Sequence, residues 1–345
     1  MAAANITVIG SLLIDHILFI DCMPDLGECF PANKYVEAPR GKGANAAIAT
    51  YRACHRSPAT TSVSVDTVET DISVRMVGAI GNDSEGDYLI EALRESFVDS
   101  SDVRRVTGSS TGKAFVMVQE TDESRDNRIV YTLGANVALK VDDFSTVESL
   151  SSGVLPDLII SQLEIDLKAV EMILETAGKA GIKVLLNAAP ANSILPALYR
   201  HVTHLVVNET EAAILSGWDL EDVNEHNFAK IAKGFLDYGV ENFVLTLGEN
   251  GAFYANSEGL KHAEAFVVKS EDPTGAGDTF VGAYAAEYVR QQKAREPRDI
   301  HKAVTRANAA GAITVTQPGG QTGIPRANEI DDFMMAQARK QQEDV

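Results

Sequence analysis

The sequence predicts an α/β protein: three α/β/α layers around a mostly parallel sheet, with a small β-sheet lid. Two observations carry that prediction. Short apolar runs of strand length alternate with longer segments of helical period, the pattern of right-handed βαβ units covering both faces of one sheet. Residues 113–120 and 128–133, by contrast, alternate as strands with no crossover helix between them, which assigns them to a second sheet.

In chain order, Ile6-Thr7-Val8-Ile9-Gly10 is a buried strand stopped by glycine, and residues 74–80 form the next apolar run. The runs at 158–160, 184–186, 205–207 and 243–246 follow, each short, bounded by turn residues and rich in Val, Ile and Leu. Helical periodicity fills the gaps at 44–54, 86–97, 167–180, 209–216 and 228–238, and the chain is largely helical afterwards, through 278–290, 299–316 and 328–340. This alternation is Rossmann-like. Residues 16–38 read as extended and join 113–133, with its polar turn at 122–127, as the lid. Residues 57–70, rich in Ser, Thr and Val, read as a surface insertion. The whole of 1–345 is expected to be a single domain, a main core with the lid.

Composition narrows the partners. The chain is 45% apolar and 23% charged, with 26 glycines, an ordinary globular balance. Its net charge of −19 lacks the basic footprint that nucleic acid or an anionic membrane surface requires, so neither is expected as a partner. Cys22, Cys29 and Cys54 have no metal-ligand or redox spacing, which fits a reducing compartment. Residues 5–20 are apolar, but no basic segment precedes them and Asp15-His16 interrupts the run, against a secretory signal. The cytoplasm is the expected location, with the nucleus also allowed.

The chemistry centres on Asp272-Pro273-Thr274-Gly275-Ala276-Gly277-Asp278, ahead of an apolar helical segment. Such a turn aims unpaired N–H groups and the positive end of a helix dipole at one point, where an anion can sit. A carboxylate beside that point repels a phosphate unless it has a task, such as taking a proton from an attacking hydroxyl. Taken alone, the glycine pattern is better read as a helix cap. Two common nucleotide fingerprints fail: Phe280 stands where the dinucleotide motif needs its third glycine, and 108–113 is one residue short of a P-loop, with Ala114 in the magnesium-binding position.

Further polar residues fall at strand ends, where parallel sheets bind ligands. Asp15 interrupts an apolar run, Glu164 follows the strand at 158–160, and Gly41-Lys42-Gly43-Ala44-Asn45 opens a helix. Carboxylates that accept from adjacent hydroxyls, together with a lysine and an amide, suit a polyhydroxylated sugar.

Over about residues 5–332 the chain resembles the ribokinase-like family of carbohydrate kinases. The resemblance rests on motifs in a fixed order: Arg40-Gly41-Lys42-Gly43-Ala44-Asn45, Gly81-Asn82-Asp83-Ser84-Glu85-Gly86, Gly134-Ala135-Asn136, Asn187-Ala188-Ala189-Pro190-Ala191, Asn208-Glu209-Thr210-Glu211 and the segment ending in Asp278. It implies a ribokinase-like fold and phosphoryl transfer from ATP to D-ribose, giving D-ribose 5-phosphate and ADP. By resemblance, Asp278 is the general base, Gly275, Ala276 and Gly277 form an anion hole, and Asp15, Gly41, Lys42, Gly43, Asn45 and Glu164 hold the sugar. Asn208 and Glu211 organise Mg2+ through water, and Thr246, Gly248, Glu249, Asn250, Gly251, Gly277 and Asn308, with Asn208, bind the nucleotide. Asp272, Thr274, Thr314, Gln317, Gly319 and Gly323 match the positions that hold a potassium ion, K+, mainly through carbonyls. The lid sheet also serves as a homodimer interface in such enzymes.

The chain departs from the family pattern at four of these points. Leu13 replaces an asparagine two residues before Asp15, Arg40 replaces the first glycine of the sugar loop, Ala188 replaces a proline, and Gly323 stands where serine is common. Kinases of another sugar or of a nucleoside remain open alternatives, as does a sensor without catalysis, although a sensor needs no base.

Overall fold

The computed structural model describes residues 4–57, 72–120 and 125–343. Most of the expected insertion at 57–70 and part of the expected turn at 122–127 lie outside the described residues.

The main sheet is built outward from β1 (Ala4–Ile9). On one side β1 pairs in parallel with β4 (Ile72–Gly81), and β4 with β5 (Asp99–Val106). On the other side it pairs in parallel with β8 (Leu158–Gln162), followed in order by β9 (Lys183–Asn187), β10 (His204–Asn208) and β11 (Asn242–Thr246). An antiparallel hairpin, β12 (Ala252–Asn256) and β13 (Gly259–Ala263), completes the nine strands.

The apolar runs are unbroken because both faces of this sheet are covered. Ile6, Val8, Leu158, Ile160, Leu185, Val206 and Val244 point into one core, against α1 (Lys42–Cys54), α6 (Ala276–Ala294) and α7 (Ile300–Thr314). Their neighbours Ile9, Ile159, Leu186, Leu205, Val207, Phe243 and Leu245 point into the other, against α3 (Leu167–Ala180) and α5 (Phe228–Asp237). Ile6, Ile160 and Leu186 are all 0% exposed, and truncating any such side chain to alanine costs about 2–5 kcal/mol. α2 (Ser84–Glu95), α4 (Glu209–Ser216) and α8 (Ala327–Glu343) are the remaining α-helices among the described residues.

A second sheet has the order β3 (Lys34–Arg40), β2 (Leu13–Ile20), β6 (Gly112–Glu120) and β7 (Arg125–Thr132). The extended region expected at 16–38 thus resolves into two strands that begin earlier, at Leu13, and end later, at Arg40. The buried Asn136 side chain ties the entry to β2 to the exit from β7: Oδ1 accepts from Leu12 N at 2.9 Å, and Nδ2 donates to the Leu12 and Leu133 carbonyls, each at 2.8 Å.

Three strands have no counterpart in the sequence reading. β5 is an edge strand of sequence Asp-Ser-Ser-Asp-Val-Arg-Arg-Val, and the charges that protect such an edge also erase its alternation. β12 and β13 are five residues each and follow β11 so closely that no crossover helix marks them. Among the described residues no helix is long and apolar enough to cross a membrane.

Candidate active site

Strand order reverses between β1 and β8: the chain runs from β1 to β4 and β5 on one side, and through β8 to β11 on the other. Ligands of open α/β sheets bind at such a switch point, beyond the carboxyl ends of the strands. Glu164 lies two residues past β8, Ser11 two past β1, and Arg40-Gly41-Lys42 passes directly from the small sheet into α1.

Glu164 is buried, at 4% exposure. Its Oε2 accepts from Ser11 Oγ at 2.6 Å and from Lys42 N at 3.0 Å, while Arg40 Nη2 lies 3.5 Å from Oε1. Arg40 also faces Asp15, with Nε 3.4 Å from Oδ1. Burial pushes the Asp15 carboxyl up to about 6; Arg40 opposes the rise and Glu164 adds to it. Gly41 has φ +111°, and a side chain there would lie 2.9 Å from both Leu12 Cα and Leu13 N. The loop therefore presses its backbone onto the segment entering β2, which a Cβ would prevent.

α6 begins at Ala276 and is capped by Gly275 in the left-handed region at φ +79°. Asp278 is consequently the third residue inside the helix rather than its first. The Ala276 amide donates to the Pro273 carbonyl at 3.3 Å, so of the three expected anion donors it is already partly engaged. The space beside Gly277 is open, with nothing within 4 Å of a Cβ placed there. The Asp278 carboxylate accepts from Asn45 Nδ2 at 2.8 Å, and Gln321 Nε2 donates to Asn45 Oδ1 at 2.9 Å. Burial raises the Asp278 pKa; Lys42, the Asn45 hydrogen bond and Arg40 oppose the rise, and Glu164 adds to it. Asp15, Arg40, Lys42, Asn45, Glu164 and Asp278 thus form one electrostatically connected group. A buried carboxylate held by an amide, within the field of a lysine and at a helix N-terminus, has the chemistry of a proton acceptor beside an anion site.

Asn208 and Glu211 form a reciprocal capping box on α4: Asn208 N donates to Glu211 Oε2 and Glu211 N to Asn208 Oδ1, each at 2.8 Å. Burial raises the Glu211 pKa, opposed by the Asn208 amide and Lys42 and reinforced by Asp278. Glu211 is therefore within electrostatic reach of the main group. Asn208 also stands beside Thr246 in the β10–β11 register. From Thr246 the chain enters the short turn Gly248–Asn250 and Gly251, whose backbone packs on residues 263–265. Asn308 reaches the same place, donating from Nδ2 to the Ala263 and Glu264 carbonyls at 3.0 and 3.1 Å. Thr246, Gly248, Glu249, Asn250, Gly251 and Asn308 thus gather as a second group. Among the described residues no hydrogen bond joins them to Asp278.

Asp272 ties two loops together: Oδ1 accepts from Thr274 N and Oδ2 from Gly319 N, both at 3.0 Å. Gln317 N donates to the Thr314 carbonyl at 3.3 Å and Gly323 N to the Gly319 carbonyl at 3.4 Å, so the six residues expected around a monovalent cation form one cluster rich in backbone oxygen. No group of three or more His, Cys, Asp or Glu suited to a metal is found among the described residues. Sequence reasoning missed Ser11 and Gln321; neither sits in a chemically distinctive local pattern, and only their partners reveal them.

The model of the pfkB family of carbohydrate kinases matches residues 3–327. A ribokinase of Haemophilus influenzae is 32% identical over 330 residues, covering 96% of this chain and 98% of that protein. A deoxyribokinase of Salmonella typhi is 31% identical over 332 residues, with 96% and 98% covered. Among solved structures, a ribokinase from Thermotoga maritima is 30% identical with a TM-score of 0.78, covering 96% of this chain and 99% of that one. The Arabidopsis thaliana ribokinase complexed with ribose and ATP is 24% identical, a likeness of fold, with a TM-score of 0.81 over 96% and 99% of the two chains.

Proposed function

The chain belongs to the pfkB family of carbohydrate kinases, ATP-dependent enzymes acting on sugars, and from that membership we propose that it phosphorylates D-ribose. The terminal phosphoryl group of ATP passes to the 5-hydroxyl, giving D-ribose 5-phosphate and ADP. Asp278 takes the hydroxyl proton, and the α6 N-terminus from Gly275 to Gly277 stabilises the charge that develops on the transferred group. Asp15, Gly41, Lys42, Gly43, Asn45 and Glu164 hold the sugar. Thr246, Gly248, Glu249, Asn250, Gly251 and Asn308 hold the nucleotide. The observation that carries this reading is the 2.8 Å contact of Asn45 with Asp278, which joins the sugar loop to the proton acceptor.

A magnesium ion, when bound with ATP, neutralises phosphate charge. The residues fit an ion held chiefly by phosphates and water: the capping box leaves Glu211 Oε1 to accept from a metal-bound water and Asn208 Nδ2 to donate to a phosphate oxygen. The oxygen-rich cluster of Asp272, Thr274, Thr314, Gln317, Gly319 and Gly323 fits K+, which would brace the turn that leads into Gly275. The small sheet supports a homodimer: the face carrying Asp15 also carries Ile17, Val116, Ile129 and Tyr131 by register, and the last two are each 49% exposed. Sedimentation at several concentrations tests that assembly.

The deoxyribokinase relative favours 2-deoxy-D-ribose as a second reading. ADP release measured across pentoses, 2-deoxy-D-ribose, hexoses and nucleosides tests both. D-ribose is expected to give the highest kcat/KM; a nucleoside ahead of every free sugar overturns the reading, and no turnover on any acceptor leaves only a sensor.

A further inference from the structure

Arg40 is the one residue of the sugar loop whose side chain contacts both Asp15 and Glu164 among the described residues. Both contacts, at 3.4 and 3.5 Å, are longer than the roughly 2.7–2.9 Å of a tight charge-assisted hydrogen bond. Arg40 Nη1 and Asp15 Oδ1 are buried with no hydrogen-bond partner among the described residues. A donor and an acceptor left unmet in a buried cluster are costly unless a ligand completes them. The guanidinium only donates and the carboxylates only accept, so a hydroxyl, which does both, satisfies the two kinds of group at once. Arg40 also stands directly beside Leu13 in the β2–β3 register. Leu13 is wholly buried and apolar, so polar recognition on this part of the small sheet falls to Asp15 and Arg40.

We propose that Arg40 is a specificity-determining residue, which with Asp15 and Glu164 selects a sugar carrying a hydroxyl at one particular ring position over the analogue lacking it. The proposal rests on the sugar-kinase reading above. A site built to hydrogen-bond a hydroxyl rejects the deoxy analogue strongly, because the buried partners are then left unpaired. Removing the guanidinium removes one of those partners and so lowers the rejection. A purely structural role predicts something different: every sugar suffers alike.

The test measures kcat and KM at saturating ATP for D-ribose and its analogues singly deoxygenated at a position other than the accepting 5-hydroxyl, with wild-type protein, Arg40→Gly and Arg40→Lys. For one analogue the wild-type ratio of kcat/KM, D-ribose over deoxy sugar, is expected to fall at least tenfold in Arg40→Gly. The change is expected in KM, with kcat on D-ribose within threefold. Arg40→Lys keeps the charge without the planar fork and is expected to lower the same ratio. Unchanged ratios for every analogue, or a loss confined to kcat, overturn the proposal. If Arg40→Gly fails to fold, judged by thermal melting, Arg40→Lys decides by the same criterion. If the wild type turns over no sugar, the kinase reading has failed, and calorimetric binding of the same sugars still tests Arg40 by the same ratio.

Discussion

Asn45 and Asp278, 233 residues apart in sequence, are joined by a hydrogen bond of 2.8 Å from Nδ2 to Oδ2. The orientation of the proposed base is therefore set from α1, not only by the helix that carries it. The Asn45 amide is in turn held by Gln321, whose backbone carbonyl accepts from Arg52 Nη1 at 2.8 Å. One chain of contacts thus runs from the loop after α7, through α1, to the first turn of α6.

Gln321→Ala frees the Asn45 amide to turn its oxygen towards Asp278, which repels the carboxylate. Misplacing a reacting group in this way lowers kcat, here by about tenfold, with the sugar KM within threefold of wild type. Steady-state kinetics check this; an unchanged kcat would remove Gln321 from the site.

Asp278→Asn keeps the shape and removes the proton acceptor. Turnover is expected to fall by about 10²- to 10⁴-fold, while calorimetry finds sugar affinity within a few-fold. Near-normal turnover would sink the assigned chemistry.

Asp15 links pH to both binding and stability. Its carboxyl titrates near 6 in the folded protein against 3.8 ordinarily, because burial disfavours the charge. The folded state therefore binds the proton more tightly than the unfolded chain, and stability decreases as pH rises from 3.8 through 6. Asp15→Asn is expected to stabilise the free protein by up to about 3 kcal/mol at pH 8 and by almost nothing at pH 3. Urea denaturation at the two pH values measures the difference; equal effects at both would contradict it. Sugar affinity in the wild type is expected to weaken as pH falls through 6, where Asp15 ceases to be a pure acceptor.

Replacing potassium by a large organic cation is expected to lower turnover. On the proposed assignment, an ion too large to fit among the Asp272 carboxylate and the neighbouring carbonyls leaves the turn before Gly275 unbraced. Equal rates in the two salts would rule the requirement out.

Much of this molecule was legible in the chain itself. The apolar runs at 6–10, 158–160 and 243–246 announce buried parallel strands because both faces of each must be apolar, and β1, β8 and β11 lie there. Asp272 to Asp278 stood out because its glycines permit a tight turn just ahead of a helix, where free N–H groups gather. β5 escaped because its charged edge carries no periodic signal, and β12 and β13 because two five-residue strands lie within the noise of any pattern.

Other facts could come only from the folded chain. Arg40 faces Asp15 and Glu164, Gln321 steadies Asn45, and the Ala276 amide is already partly engaged. Periodicity reports which way a side chain points relative to its own backbone, since that is a local property of helix and strand. Which distant group waits at the far end is decided by how the two sheets and α1 meet, and no local pattern contains that.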